Sequence, residues 1–167
     1  MRKAAIIGTA ALVTVVVSGV AVQQAQASSK PAAQHHSSAG QQHGVTTFTV
    51  VEHAVTDTVA DTGPTGDSLG DVLAFGNPIF TANNKTHIGS DNGSCIRTTV
   101  GKAWECSWTL TLGKNSLVVE GPFYDTADSN LAIIGGTGIW ATARGQMHLH
   151  ARDAAGSAYD FVYHVTR

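Results

Sequence analysis

Hydrophobic and polar residues alternate in short runs along the chain beyond residue 44, and Leu117–His150 shows this pattern most clearly. Three apolar runs rich in β-branched residues are separated there by clusters of Gly, Pro, Asp and Asn, which is typical of strands joined by turns. The three runs are Leu117–Val119, Leu131–Ile134 and Met147–His150. The GGTG sequence at 135–138 predicts a hairpin turn, because glycine accepts positive φ angles.

Three further segments have the strand pattern: Val45–Val51, Val72–Ile79 and Phe161–Val165. No helical periodicity of convincing length follows residue 27. The GGTG sequence lacks a following helix pattern and a GK(S/T) sequence, so a phosphate-binding loop is disfavoured. We predict one all-β domain over Val45–Arg167, an antiparallel β-barrel of about eight strands.

The N-terminus has the pattern of a secretory signal peptide. Arg2 and Lys3 precede the apolar run Ala4–Val22, and Ala25-Gln26-Ala27 follows it. A basic start, an apolar run and an A-x-A ending predict cleavage after residue 27. A membrane anchor is the alternative, since the run approaches the roughly 20 residues that span a bilayer, but its small residues and clear cleavage site favour removal. We therefore expect a secreted, extracellular protein with no membrane contact after cleavage.

Residues 28–44 are polar and low in complexity, which predicts a disordered leader. His35, His36 and His43 could bind transition metals weakly, and the simpler interpretation is a soluble tail.

The charge balance argues against polyanionic partners. Residues 1–27 contain two of the ten basic residues and no acidic ones, so eight basic and twelve acidic residues remain and the net charge is −4. No basic stripe with interleaved aromatic residues is present. Nucleic-acid binding is therefore not expected.

The two cysteines flank a predicted hairpin. Cys95 and Cys106 enclose the runs Ile96–Val100 and Ala103–Glu105, which Gly101-Lys102 joins. In an oxidising compartment a disulfide is the expected state of such a pair. It would contribute about 2–3 kcal/mol in the chain-entropy model. The alternative is two free thiols, one of them catalytic.

Strand alternation assigns side chains to the two faces of this hairpin. If Cys106 points inward, so do Trp104, Trp108, Leu110 and Leu112. A disulfide would then place Arg97 and Thr99 on the inner face as well. A buried guanidinium needs a partner, so Arg97 is either a polar anchor for a ligand or lies at the barrel mouth with its head group in solvent.

Four consecutive residues near the end of the domain divide between two faces. Met147 and Leu149 share the apolar face, and His148 and His150 share the other. Two histidines at i and i+2 can ligate a metal, with His53 or His164 as a third ligand. Their alternation with apolar residues favours a solvated outer face, so we predict no metal and no cofactor.

The segment VEGPFYDTADSNLAIIGGTGIWATARGQ, residues 119–146, resembles the signature region of the allene oxide cyclase and dirigent families. The resemblance extends from Thr47 to the C-terminus, and these families share a small antiparallel β-barrel. If side chains do not fill its interior, such a barrel encloses a site for one small hydrophobic molecule, and the alternative is a core packed solid by aromatic residues. The resemblance also implies a homo-oligomer, a dimer or trimer. The motif is more specific for the fold than for the reaction.

The resemblance also implies candidate site residues. The TVVEHAV segment is similar to the first barrel strand of the cyclases, where the residue matching Glu52 stabilises the delocalised cation formed when an unsaturated epoxide opens. The LGDVLAFGNPIF segment places Phe75 at an aromatic wall position and Asn77 at a polar, water-holding position. Ala54 departs from the family pattern, which has Asn there.

Further family positions fall on the cysteine hairpin and the strand beside it. Cys95 matches a cavity cysteine, Trp104 and Trp108 match aromatic positions, and Phe123 stands where tyrosine is usual. The ARG sequence at 143–145 is a dirigent-like feature, although the catalytic Asp and Tyr pattern of dirigent proteins is not evident.

Two classes of function follow. The first is a secreted isomerase or cyclase that binds an apolar, unsaturated ligand and steers its ring closure, with Glu52, Asn77 and Arg97 as candidate catalytic residues. The expected cavity wall is Phe75, Trp104, Trp108, Leu110, Val119, Phe123, Met147 and Tyr163. The second is a non-catalytic secreted barrel that binds an apolar ligand or a cell-surface partner. Retention of Glu52 and Asn77 favours the first, and the low aromatic content favours the second.

Overall fold

A computed structural model describes residues 44–167 and shows nine β-strands. The predicted signal peptide, and the predicted leader apart from Gly44, lie outside the described residues. The strands are β1 Val45–His53, β2 Thr58–Ala60, β3 Val72–Thr81, β4 His87–Thr99, β5 Ala103–Leu112, β6 Asn115–Tyr124, β7 Ser129–Thr137, β8 Arg144–Ala151 and β9 Ala158–Thr166. A short 3-10 turn, Gly138–Trp140, separates β7 from β8. Within the described residues, no helix is long and apolar enough to cross a membrane.

The strands form one antiparallel sheet in the order β1-β9-β8-β7-β6-β5-β4-β3-β2. It closes because β1 also pairs with β3, with Val50–Glu52 opposite Ile79–Thr81. The short β2 pairs with the beginning of β3, so β1 and β2 share one edge of that strand. The result is a closed barrel of eight strands plus β2, which confirms the predicted all-β barrel.

Side chains alternate between the barrel interior and the outer face, as the period-two pattern predicts. In β5, Trp104, Cys106, Trp108 and Leu110 are buried, while Glu105 and Ser107 are exposed. In β8, Met147 and Leu149 are buried between more exposed neighbours. The inner face of β9 is formed by Phe161, Tyr163 and Val165.

The disulfide prediction is confirmed. Cys95 of β4 and Cys106 of β5 are opposite each other in the strand register, with Cα atoms 4.0 Å apart, and are bonded. Gly93 lies opposite Trp108, and a Cβ there would come within 2.3 Å of the Trp108 Cβ. Glycine at this position therefore permits the close approach of β5, because a side chain would also meet the Ser107 carbonyl oxygen at 2.6 Å.

The GGTG segment differs from the predicted hairpin turn. Gly135, Gly136 and Thr137 continue β7, and the chain reverses only through the 3-10 turn that begins at Gly138, where φ is 61°. Gly136 serves close packing, since a Cβ there would lie 2.2 Å from the carbonyl oxygen of Ser116. Both close approach and positive φ select glycine, so the sequence alone does not separate them.

Candidate functional site

The polar part of the site begins with Glu52, which the inward face of β1 places inside the barrel with 5% of its surface exposed. Asn77, on the neighbouring strand β3, donates a hydrogen bond from Nδ2 to Glu52 Oε1 at 2.7 Å. The same Nδ2 group donates to Asp57 Oδ1, also at 2.7 Å. One amide thus connects two carboxyl groups.

The orientation of the Asn77 amide is set by the chain that follows β1. Its Oδ1 accepts hydrogen bonds from the backbone N–H groups of Val55 and Thr56 and from the Thr56 hydroxyl, each at 3.0 Å. Because the amide oxygen is engaged by donors, the NH₂ group must face the carboxyl groups. Asn77 therefore holds Glu52 in position and connects it to the 54–57 loop.

A third carboxyl group, Asp91 of β4, lies against Glu52 and is fully buried. Neither of its oxygens has a well-formed hydrogen bond from a donor within residues 44–167. Burial raises the pKa of Asp91 to about 7. Burial, and next the Asp91 charge, raise the pKa of Glu52 well above its ordinary value. Two adjacent carboxyl groups that resist joint ionisation hold a proton between them near neutral pH.

An aromatic pocket adjoins Glu52 at the end of the barrel where β1 ends and β9 begins. Its cavity volume is about 60 Å³, and it opens to solvent at its mouth. Phe75 and Trp108 meet edge to face in its wall, with ring centres 6.0 Å apart, and Phe123 and Tyr159 do the same at 5.9 Å. The lining residues are Glu52, Asp57, Leu73, Phe75, Cys95, Cys106, Trp108, Phe123, Leu149, Tyr159 and Phe161.

A wider vestibule with a cavity volume of about 350 Å³ adjoins this pocket and shares Phe123, Leu149 and Tyr159 with it. The loops 125–128 and 152–157 form its sides and contribute Asp125, Asp128 and Asp153. Any molecule that reaches the aromatic pocket by this route passes acidic side chains.

The predicted wall residues divide between the pocket and the core. Phe75, Trp108 and Phe123 line the pocket. Leu110, Val119, Met147 and Tyr163 are fully buried in the core and are not among the lining residues. The Tyr163 hydroxyl and Trp108 Nε1 are buried without a well-formed hydrogen bond, and burial together with the Asp91 charge raises the pKa of Tyr163 well above its ordinary value.

Arg97 lies on the inner face, as the alternation predicts, but its head group is not in solvent. The residue is 7% exposed, and its guanidinium pairs with Asp125 at 2.8 Å and with Asp67 at 2.6 Å. Its guanidinium carbon lies 3.9 Å from the ring centre of Trp104. Arg97 and Trp104 therefore form part of a cluster of ion pairs at the end of the barrel, beside the pocket. Neither residue lines the pocket.

The strand histidines lie on the outer face. His148 and His150 both approach Asp128, at 3.3 and 2.8 Å. Within residues 44–167, no group of three or more potential ligands is arranged to hold a metal ion.

Sequence reasoning missed Asp57, Asp91 and Tyr159. Asp91 could have been found, because it precedes Cys95 by four residues on one strand and must share its inward face. Tyr159 could have been found in the same way from Phe161. Asp57 belongs to a loop, and no periodic pattern places a loop side chain.

The sequence model of the allene oxide cyclase family matches residues 52–153, a segment that includes Glu52, Asn77 and Asp91. This chain belongs to the allene oxide cyclase family. The resemblance predicted from residues 119–146 is thereby confirmed.

Solved structures share the fold of this allene oxide cyclase family member. A pyocyanin demethylase is similar at 23% identity and a TM-score of 0.61, over 71% of this chain and 100% of its own. A pterocarpan synthase dirigent protein has 16% identity and a TM-score of 0.60, over 74% and 83%. A Diels–Alderase from Streptomyces koyangensis has 13% identity and a TM-score of 0.58, over 77% and 70%. At these identities the likeness extends to the fold alone.

Proposed function

We propose that this protein binds a small, apolar, unsaturated molecule in the aromatic pocket and steers its ring closure or isomerisation. The observation that carries the proposal is the position of Glu52, a buried carboxyl group held by Asn77 at an otherwise largely apolar wall. The names of similar barrels, which include a cyclase and Diels–Alderases, agree with this class of chemistry.

The aromatic walls would act through shape. A flexible polyene confined between Phe75, Trp108 and Phe123 loses conformers that cannot close a ring, and this lowers the entropic part of the barrier. The free space suits a small ligand, because the core beneath the pocket is filled by buried aliphatic side chains. The same confinement selects one face of the ligand and therefore one stereoisomer.

Glu52 would supply the electrostatics. As a carboxylate it stabilises positive charge that develops on the ligand during reaction, and in a water-poor pocket this interaction is stronger than in bulk water. As a carboxylic acid it can donate a proton, and its raised pKa keeps that form populated near neutral pH. Asn77 is a positioning residue, because it contacts the carboxyl group and is not a lining residue of the pocket.

A non-catalytic ligand carrier is the second candidate. The small free volume favours it, since a ligand that fills the pocket has little freedom to rearrange. We also propose that the protein acts after export. The Cys95–Cys106 disulfide agrees with an oxidising compartment, and the N-terminal sequence has the signal-peptide pattern.

An achiral triene that cyclises spontaneously into a chiral product separates the two candidates. The wild type should increase the cyclisation rate and give an enantiomeric excess. Glu52→Gln should lose at least about tenfold in rate, and Ile96→Ala, on the exposed face of β4, should match the wild type. Binding of the triene with an unchanged rate and a racemic product would support the carrier instead.

A further inference from the structure

The carboxyl groups of Glu52, Asp57 and Asp91 lie together beside the pocket, and within residues 44–167 none of them has a basic partner. Glu52 and Asp57 line the pocket, and Asp91 lies behind Glu52. Burial, and then the charges of Asp91 and Asp57, raise the pKa of Glu52. Within residues 44–167, no lysine, arginine or histidine side chain forms an ion pair with any of the three. Arg97, at the same end of the barrel, already pairs with Asp67 and Asp125.

The burial of Asp91 directly behind Glu52 is a second observation. A buried carboxyl group normally has hydrogen-bond donors or a cation. Asp91 is fully buried and both of its oxygens lack a well-formed hydrogen bond within the described chain. The Glu52 carboxyl group and the backbone N–H groups of Asn77 and Asp91 approach it, and no cationic side chain within residues 44–167 balances the pair when both acids ionise.

The rest of the pocket also suits a cation. Phe75, Trp108 and Phe123 present aromatic rings, and the faces of such rings attract positive charge. The vestibule outside the pocket carries Asp153, whose charge would attract a cation toward the mouth, and Asp128, which lies beside His148 and His150. Both regions therefore favour the same sign of ligand charge.

We propose that the pocket is selective for planar conjugated cations, molecules in which a quaternised or protonated ring nitrogen lies against Glu52 and Asp57 while the rings pack on the aromatic wall. This inference rests on the proposed function, since it names the ligand class of the same pocket. Anionic ligands of equal shape are rejected by the carboxyl groups.

Proton release accompanies cation binding. The ionisable groups facing Glu52 are Asp57 from the loop, Asp91 from β4, and Tyr159 and Tyr163 from β9. A bound cation stabilises the ionised carboxyl groups and lowers their pKa values, so the proton held by the Glu52–Asp91 pair is released. Affinity for a permanent cation should accordingly rise as the pH increases through about 7.

Three ligands of nearly equal shape test this inference: N-methylquinolinium, 1-methylnaphthalene and 1-naphthoate. Titration of the protein, monitored by calorimetry and by tryptophan fluorescence, should give an affinity for the cation at least about tenfold higher than for the neutral molecule. The anion should bind weakest. Calorimetry in buffers of different ionisation enthalpy should show proton release for N-methylquinolinium and none for 1-methylnaphthalene.

Variants that remove one carboxyl charge identify the groups responsible for the preference for the cation. Asp91→Asn and Glu52→Gln should each reduce the preference for the cation severalfold and leave the affinity for 1-methylnaphthalene within about twofold. Glu105→Gln, on the exposed face of β5, removes the same charge at a distance and should behave like the wild type.

The outcomes separate the inference from the function on which it rests. Equal affinity for the cation and the neutral molecule, or tighter binding of 1-naphthoate, would overturn the charge selectivity and leave the apolar pocket standing. Failure of all three ligands to bind would instead overturn the ligand-binding function itself.

Discussion

Asn77 Nδ2 lies 2.7 Å from Glu52 Oε1, and its amide oxygen accepts two backbone hydrogen bonds from the loop that follows β1. This contact crosses the point where β1 and β3 close the barrel. The side-chain contact therefore lies beside the strand pairing that closes the sheet, and it orients the carboxyl group of the candidate site.

Asn77→Asp should destabilise the protein more at pH 8 than at pH 5. The change removes the donor to Glu52 and Asp57 and adds a further carboxyl group to the cluster. We expect a loss of roughly 3–5 kcal/mol at pH 8, because an uncompensated buried charge is created. Urea unfolding at the two pH values measures the difference. Asn92→Asp, on the exposed face of β4, is the matched control and should show little pH dependence.

The Asp91 carboxyl group should make the wild type less stable as the pH rises from about 4 to about 7. The folded state keeps a proton that the unfolded chain releases, so the unfolded state is favoured as protons are withdrawn. Asp91→Asn should flatten this slope and gain on the order of 2–4 kcal/mol relative to the wild type at pH 8. Urea unfolding at pH 5, 6, 7 and 8 gives the slope, with Glu105→Gln as the control. A slope unchanged in Asp91→Asn would contradict the assignment.

Removing the disulfide should lower stability without abolishing the fold. The bond joins residues 11 apart, and the chain-entropy model assigns a loop of this length about 3 kcal/mol. The double variant Cys95→Ala/Cys106→Ala should unfold at lower denaturant, and reductant should not change its midpoint. In the wild type, reductant should shift the midpoint to the value of the double variant and add about two mass units.

Phe75→Ala and Trp104→Ala should have different effects. Phe75 lines the pocket, so its truncation should weaken binding of 1-methylnaphthalene about fivefold to tenfold by removing apolar contact. Trp104 stacks on Arg97 and donates to Asp125 at 3.1 Å, so its truncation should reduce stability and leave affinity nearly unchanged. Fluorescence titration and urea unfolding of both variants provide the comparison. Equal losses of affinity would show that the pocket reaches Trp104.

Arg97→Met should reduce stability by roughly 1–3 kcal/mol, because it leaves Asp67 and Asp125 without their cation in a partly solvated setting. Ligand affinity should change by less than about twofold, since Arg97 is not a lining residue. Lys102→Met, an exposed change nearby, controls for the loss of one positive charge. A loss of binding free energy larger than the loss of unfolding free energy would instead favour Arg97 as a ligand anchor.

The sequence by itself was sufficient for the barrel and for most of its inner face. Thr99, also predicted to point inward, is exposed, because the β4–β5 register shifts after Arg97. Period-two alternation identified Trp104, Cys106, Trp108 and Leu110 as interior positions, because successive side chains of a strand must point to opposite sides. The same rule, applied to the cysteine pair, placed Arg97 inward. The face of a strand that a side chain occupies depends on its position relative to its neighbours along the chain, so the sequence is enough to predict it.

Tertiary structure alone decided what the interior groups contact. The depth of the pocket depends on how side chains from eight strands fill the barrel interior. Phe75 and Phe123 therefore line the pocket, whereas Met147 and Tyr163 are buried in the core beneath it. The carboxyl cluster joins β1, a loop, β3 and β4, which meet only because the sheet closes on itself. Closure brings Glu52, Asp57 and Asp91 together, and no local pattern within any one segment encodes that meeting.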